Sequence, residues 1–185
     1  LHDGRGENLM AESARDFSDW LEGELRSDHA GETGAVWIYK GVLAARPQQP
    51  LRQFCERHLQ TEEHHLSTMN ALLPHRAHSI LLPLWRIAGF MTGFLPACFG
   101  QKAVYRTIAA VESFVETHYQ QQISHPALIN APDIRATLEA CMQDEIDHKD
   151  EAIKLAGPSQ NLFIDIWCWL VGAGSRCAVQ LARRL

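Results

Sequence analysis

The chain has 185 residues, enough for one domain that buries a continuous core without disulfide or structural-metal staples, and 46% of them are hydrophobic. Its formal net charge is −5, and the basic residues form no cluster of the density that a phosphate backbone demands, so nucleic acid is not an expected partner. The five cysteines, Cys55, Cys98, Cys141, Cys168 and Cys177, make no C-x-x-C pair and are odd in number, which reads as free thiols filling a core in a reducing compartment.

The opening run LHDGRGENLMAESARD carries acids and no apolar stretch, unlike a secretory signal or an Arg-rich transit peptide. From Phe17 to Ala45, apolar residues recur at helical spacing (Trp20, Leu21, Leu25, Val36, Tyr39, Leu43), and Arg46-Pro47 stops the helix. Gly31 and Gly34 inside it cost stability relative to alanine, which points to close packing or a nearby ligand. A second helix is expected over Leu51 to Leu73, ended by Pro74.

The apolar stretch Ile80 to Gly100 approaches the length of a membrane span but contains Pro83, Arg86, Gly89, Gly93 and Pro96, so it reads as a broken, short packed or interfacial helix. Helices over about Lys102 to Ile123 and Ile134 to Ala156 follow, with Asp133 able to cap the second and Gly157-Pro158 ending it. The tail from Asn161 joins Phe163, Trp167 and Trp169 to Arg176, Arg183 and Arg184, a composition suited either to the water-lipid boundary or to a helix covering the bundle. No strand-like alternation is long enough for a sheet. The expectation is one all-α domain, with a core bundle over about 16–156 and a covering or interfacial helix over 160–185.

Chemistry concentrates in a repeated pattern. Glu62 with His65, and Glu145 with His148, each stand three residues apart, which in a helix aims both side chains at one point. Glu32 and Glu112 sit in the other two long helices among small or apolar neighbours, where an isolated carboxylate is costly unless a cation compensates it. The order Glu, E-x-x-H, Glu, E-x-x-H over four helices is the ligand set of ferritin-like dimetal carboxylate proteins. Four carboxylates neutralise two divalent ions, and two neutral imidazoles complete the shells while leaving positions open for dioxygen.

Glu63, His64 and Asp147 are turned about 100° or more from the ligand face and read as surface or supporting groups. His58, His75, His78 and His125 have no acid at productive spacing and read as surface residues. The outer nitrogen of a ligating imidazole needs support from Asp144, Asp28 or a backbone carbonyl.

The run D-H-A-G-E-T-G-A with I-Y-K-G behind it, then E-x-x-H-L, L-P-L-W-R-I-A-G-F, A-V-E-S, H-Y-Q-Q-Q-I and D-E-I-D-H, resembles the demethoxyubiquinone hydroxylase (Coq7) family from about Arg26 to the C-terminus. The resemblance implies a ferritin-like four-helix bundle with added apolar, membrane-facing helices. It implies a di-iron monooxygenase that uses O2 and an external reductant to hydroxylate a polyprenyl methoxy-methyl-benzoquinol in ubiquinone biosynthesis. The family's iron ligands fall on Glu32, Glu62, His65, Glu112, Glu145 and His148, and its His-Tyr pair on His118 and Tyr119, with a role in substrate contact or electron transfer. Thr33, Val36 and Ser113 depart from the family pattern beside these ligands.

The implied setting is a membrane surface, on the cytoplasmic face of a bacterial inner membrane or the matrix side of a mitochondrial one. The electron donor is unspecified, and a homo-oligomer or a ubiquinone-biosynthesis complex is compatible with the pattern. Two rival readings keep the fold: a ferritin-like iron-binding or storage protein, and a peroxide-scavenging di-iron or dimanganese protein without a quinone substrate.

Overall fold

A computed structural model describes the backbone of residues 4–158 and 161–185, with side chains from Ser18 onward. Residues 1–3 and the side chains before Ser18, on which the reading of the opening run falls, lie outside the described residues. The described residues form six α-helices in order: α1 (Gly4–Ala44), α2 (Leu51–Leu72), α3 (Leu82–Ala97), α4 (Gln101–Ile123), α5 (Pro132–Ala156) and α6 (Leu162–Ala182). Helices α1, α2, α4 and α5 form an all-α bundle, in which α1 packs on α2 and α4 on α5. Helices α3 and α6 pack on both α1 and α4, and so cover the side where those two helices face each other.

The core has two apolar clusters. One gathers Tyr39, Val42, Phe54, Cys55, Val104, Tyr105 and Ile108; the other gathers Leu25, Met69, Leu73, Tyr119, Leu128, Leu138 and Cys141. The polar ligand layer lies between them in sequence on every bundle helix, so apolar packing holds the bundle above and below the site.

Helix α1 extends N-terminal of the expected Phe17, to Gly4, and closes where Arg46 takes a left-handed φ of 53°. Helix α5 begins at Pro132, in the first turn, where a missing N–H does no harm. Asp133 therefore lies inside the helix and makes no side-chain cap, although its charge still suits the N-terminal dipole.

Helix α3 corrects a second expectation, because it is continuous over 16 residues. Its glycines permit approach. A Cβ on Gly89 would collide with the Gly34 carbonyl oxygen, and one on Gly93 with that of Ile38. The close approach therefore explains Gly89 and Gly93, whereas a Cβ on Gly31 or on Gly34 would itself meet nothing within 4 Å.

Two cysteines also depart from expectation. Cys55 and Cys141 are buried and Cys168 is half-buried, but Cys98 and Cys177 are exposed, at the end of α3 and on α6.

Candidate metal centre

The ligand-bearing residues meet because each occupies the inward face of its own helix. Glu32, Glu62, His65, Glu112, Glu145 and His148 are all 5% exposed or less. Glu32, Glu62, His65 and Glu145 bring one ligand atom each to within 4.8 Å of one another, and Glu62, Glu112, Glu145 and His148 do the same. Two adjoining ligand groups therefore share Glu62 and Glu145, while Glu32 and Glu112 each belong to one. Both Nδ1 atoms face inward: His65 Nδ1 lies 3.1 Å from Glu145, and His148 Nδ1 lies 3.1 Å from Glu62.

The electrostatics are those of a site built around missing positive charge. Burial, reinforced by the charge on Glu145, pushes Glu62 and Glu112 well above the usual carboxylate range, and burial also raises Glu32. Burial would raise Glu145 too, but the neighbouring imidazoles of His148 and His65 outweigh it and hold that carboxyl low. Burial opposes charge on His65, yet the surrounding glutamates raise it to about 10. Both oxygens of Glu62, Oε2 of Glu145 and Nδ1 of His148 are buried without a hydrogen-bond partner. Such orphaned donors and acceptors are expensive unless a cation takes them up, and oxygen with imidazole ligands suits iron or manganese. The residues present fit a pair of such ions.

Supporting contacts differ from one ligand to the next. His65 Nε2 lies 3.0 Å from Asp144, one of the three supports the sequence leaves open. Asp28 instead pairs with His118, at 3.0 Å. Tyr119 Oη donates to Glu32 at 2.5 Å, and Tyr39 Oη reaches Glu112 at 3.4 Å. Tyr39 is absent from the sequence-derived set, although it stands seven residues after Glu32 as Tyr119 stands seven after Glu112.

His58 corrects its surface reading. It is buried, donates to or accepts from Glu151 at 2.9 Å, and packs edge-on against the His148 ring at 4.0 Å. His78 is half-buried and stacks on buried His29, while His75 and His125 are exposed as expected. Glu63, His64 and Asp147 are exposed, and Glu63 pairs with Lys40. Of the three departures from the family pattern, Thr33 bonds the His29 carbonyl, Val36 is buried, and Ser113 is exposed; none touches a ligand oxygen by hydrogen bond.

A cavity of about 380 Å³ opens beside the cluster, between α1 and α4 on one side and α3 and α6 on the other. Glu32, Glu112, Glu145, His118 and Tyr119 line it together with small residues such as Gly31, Gly34, Ala88 and Gly174. Trp167 also faces it and donates its indole N–H to Thr107 Oγ1 at 2.9 Å.

A bundle of this order, carrying two E-x-x-H pairs and two lone glutamates around one buried centre, belongs to the ferritin-like carboxylate class. Comparison with known sequences narrows the class. Residues 19–182 match the model of the ubiquinone biosynthesis protein COQ7 family, and the chain belongs to that family. It is 34% identical to the 3-demethoxyubiquinol 3-hydroxylase of Rhodospirillum rubrum over 87% of this chain and 76% of the relative. It is 31% identical to the mitochondrial NADPH-dependent 3-demethoxyubiquinone 3-hydroxylase of Dictyostelium discoideum, over 89% and 77%. Against the mitochondrial 5-demethoxyubiquinone hydroxylase of Saccharomyces cerevisiae, identity is 32% over 73% of this chain and 66% of the relative.

Proposed function

We propose that this chain is a di-iron monooxygenase that hydroxylates the ring of a polyprenyl methoxy-methyl-benzoquinol in ubiquinone biosynthesis. The observation that carries the reading is the six-ligand cluster opening directly onto an apolar, ring-sized cavity. Glu62 and Glu145 would be shared by the two irons, with Glu32 and His65 completing one side and Glu112 and His148 the other. When bound and reduced, the iron pair supplies the activation of dioxygen and the transfer of one oxygen atom to the ring.

The balance is quinol plus O2, two electrons and two protons, giving hydroxylated quinol and water. An external donor supplies the electrons; NADPH appears in the name of the Dictyostelium relative. The protein's residues contribute placement. Tyr119 holds the Glu32 carboxylate, Asp144 orients His65, and the aliphatic walls of α3 and α6 keep water from the ring.

A membrane-surface setting fits the two covering helices. Among the described residues, α6 is the one helix long and apolar enough to cross a bilayer, with only 6% of its most apolar window buried. Hydrogen bonds tie it to the bundle near both ends, from Trp167 to Thr107 and from Arg183 to Glu24 at 2.8 Å. A helix fastened this way lies along the bundle and turns its outer face outward, beside Leu84, Ile87 and Met91 of α3.

Trp167 is turned inward, so Phe163, 84% exposed, and Trp169, 67% exposed, are the anchoring aromatics. Replacing both by serine is expected to cut sedimentation with anionic liposomes severalfold, and unchanged partition rejects the setting. The proposed location is the cytoplasmic face of a bacterial inner membrane, or the matrix side of a mitochondrial one.

The decisive assay supplies iron-loaded protein with a short-prenyl quinol, O2 and reductant, and in parallel with peroxide alone. A ring product heavier by one oxygen, dependent on O2, is expected. Peroxide consumption without ring oxidation would favour the scavenging reading, and iron uptake without either would favour storage.

A further inference from the structure

A second hollow, of about 580 Å³, runs along the seam between α4 and α6. Phe114, His118 and Val179 line both this groove and the cavity, so the two spaces share a wall. The lining has two characters. Ala110, Phe114, Gly172 and Val179 supply apolar surface, while Gln121, Arg176, Gln180 and Arg183 supply hydrogen-bond donors. Ser113 and Thr117 also line it, but their hydroxyls donate to the carbonyls of Ala109 and Ser113. Among the described residues, no acid lines the groove.

The two arginines stand differently. Arg183 donates Nη2 to Glu24 at 2.8 Å, so its charge is already matched. Arg176 is exposed and makes no ion pair or hydrogen bond with the described residues. Its guanidinium lies back over its own helix, since a Cβ on Gly172 would stand 3.7 Å from Nη1.

The setting of this unmatched cation says what it is suited to meet. The chain carries a net charge of −5, yet from Arg176 onward it has three arginines and no acid. Helix α6 is the apolar helix whose window is only 6% buried. A lone guanidinium on such a surface is costly beside lipid chains unless it reaches the head-group level or meets an anion. Trp169, 67% exposed, lies two turns before Arg176 on one stripe with Gly172 and Gln180. Tryptophan and arginine on one stripe suit the level where acyl chains end and phosphates begin. A soluble anion would need no aromatic neighbour.

We propose that the groove between α4 and α6 binds the phosphate of an anionic phospholipid, with Arg176 as the principal contact, the amides of Gln121 and Gln180 as further donors, and the acyl chains beside Trp169. This rests on the membrane-surface setting given above. The planar fork of an arginine matches a pair of phosphate oxygens, and its strength is greatest where no carboxylate competes. A lipid held there would pin α6 against α4 at the wall that the groove shares with the cavity.

The test uses the iron-loaded full chain in micelles of a neutral detergent, where no charged surface attracts it, and native mass spectrometry counts what each chain retains. Three probes separate the sources. Dioleoyl phosphatidylglycerol has chains and phosphate, dioleoylglycerol has the chains alone, and glycerol 3-phosphate has the phosphate alone.

One phosphatidylglycerol per chain is expected, held about tenfold or more tighter than either fragment. R176Q should weaken it about tenfold, R176K, which keeps the charge but not the fork, about threefold, and R184Q, outside the groove, by under about twofold. Dioleoylglycerol held as tightly makes the groove merely apolar, and glycerol 3-phosphate held as tightly makes it a site for a soluble anion. Equal losses in R176Q and R184Q make the attraction unlocalised. Each of these overturns the inference. Sedimentation with mixed phosphatidylcholine and phosphatidylglycerol vesicles separates it from the reading beneath. A chain that binds them undiminished in R176Q keeps the membrane setting and loses this site, whereas a chain that binds none loses both. Should R176Q fail to fold, R176K and the three probes on the unaltered chain decide.

Discussion

The two halves of the bundle, α1 with α2 and α4 with α5, repeat one arrangement and then diverge. Each half supplies a lone glutamate, an E-x-x-H pair and a tyrosine seven residues beyond the lone glutamate, and each tyrosine reaches across to the other half's lone glutamate. The surroundings are unlike. Tyr119 lines the cavity, while Tyr39 is sealed in an apolar cluster with Val42, Phe54 and Ile108. The outer nitrogen of His65 meets the carboxylate of Asp144, while the ring of His148 packs edge-to-face with His58. Four residues before Glu32 stands Asp28, and at the matching place before Glu112 stands Ile108. Two equivalent ions would need two equivalent shells, which would account for the duplicated glutamates and histidines. A single organic substrate would need one open side, which would account for the differences around them.

The largest expected effect separates shared from unshared ligands. E62Q should lose most of the bound metal and about 100-fold or more of turnover, with E32Q losing clearly less metal. Metal content per chain by mass spectrometry checks this, and equal losses would contradict the sharing of Glu62. Without metal the order reverses, because E62Q removes a buried group that is costly to charge and should raise the melting temperature.

The unequal support of the two histidines comes next. D144A should weaken metal binding about tenfold or more, whereas E151A, which frees His58 and Arg57, should change it little. Competitive titration against a chelator distinguishes them. If E151A proves as damaging, His58 supports His148 as firmly as Asp144 supports His65.

Acidity acts on both halves together. Burial raises Glu62 and Glu112, and the glutamates raise His65 to about 10, so near neutrality these groups hold protons that a cation must displace. Metal affinity should therefore rise with pH and loading should release protons. Calorimetry in buffers of different ionisation enthalpy reads the number released. A pH-independent affinity would mean that the empty site is already fully charged.

The smallest effect concerns the tyrosines. Y119F should lower quinol turnover about tenfold, while Y39F should cost about 1 kcal/mol of stability and leave turnover within about twofold. Equal kinetic losses would erase the distinction between the open and the closed side.

The Glu62/His65 and Glu145/His148 pairs of the buried cluster are legible in the sequence because three-residue spacing on a helix is a geometric instruction, and it survives folding unchanged. Tyr39 is harder to see as a single residue but emerges when the halves are laid over each other at Glu32 and Glu112. His58 stays hidden because its acid, Glu151, comes from α5 and not from its own helix. The glycines of α3 look like breaks along the chain, and only the path of α1 shows them to be points of contact. Asp28 and His118 are ninety residues apart, so their pairing belongs to tertiary structure alone.

The crossing of α1 and α3 has a consequence for how such a cavity can diversify. Where Gly89 meets Gly34 and Gly93 meets Ile38, backbone rests on backbone, and even one added methyl group has nowhere to go. That wall is therefore closed to gradual change. A descendant adapting to a bulkier or slimmer ring would have to do so through the side chains of α6 and α4, such as Leu170, Val171 and Val115, leaving the glycine crossing as the inherited constant.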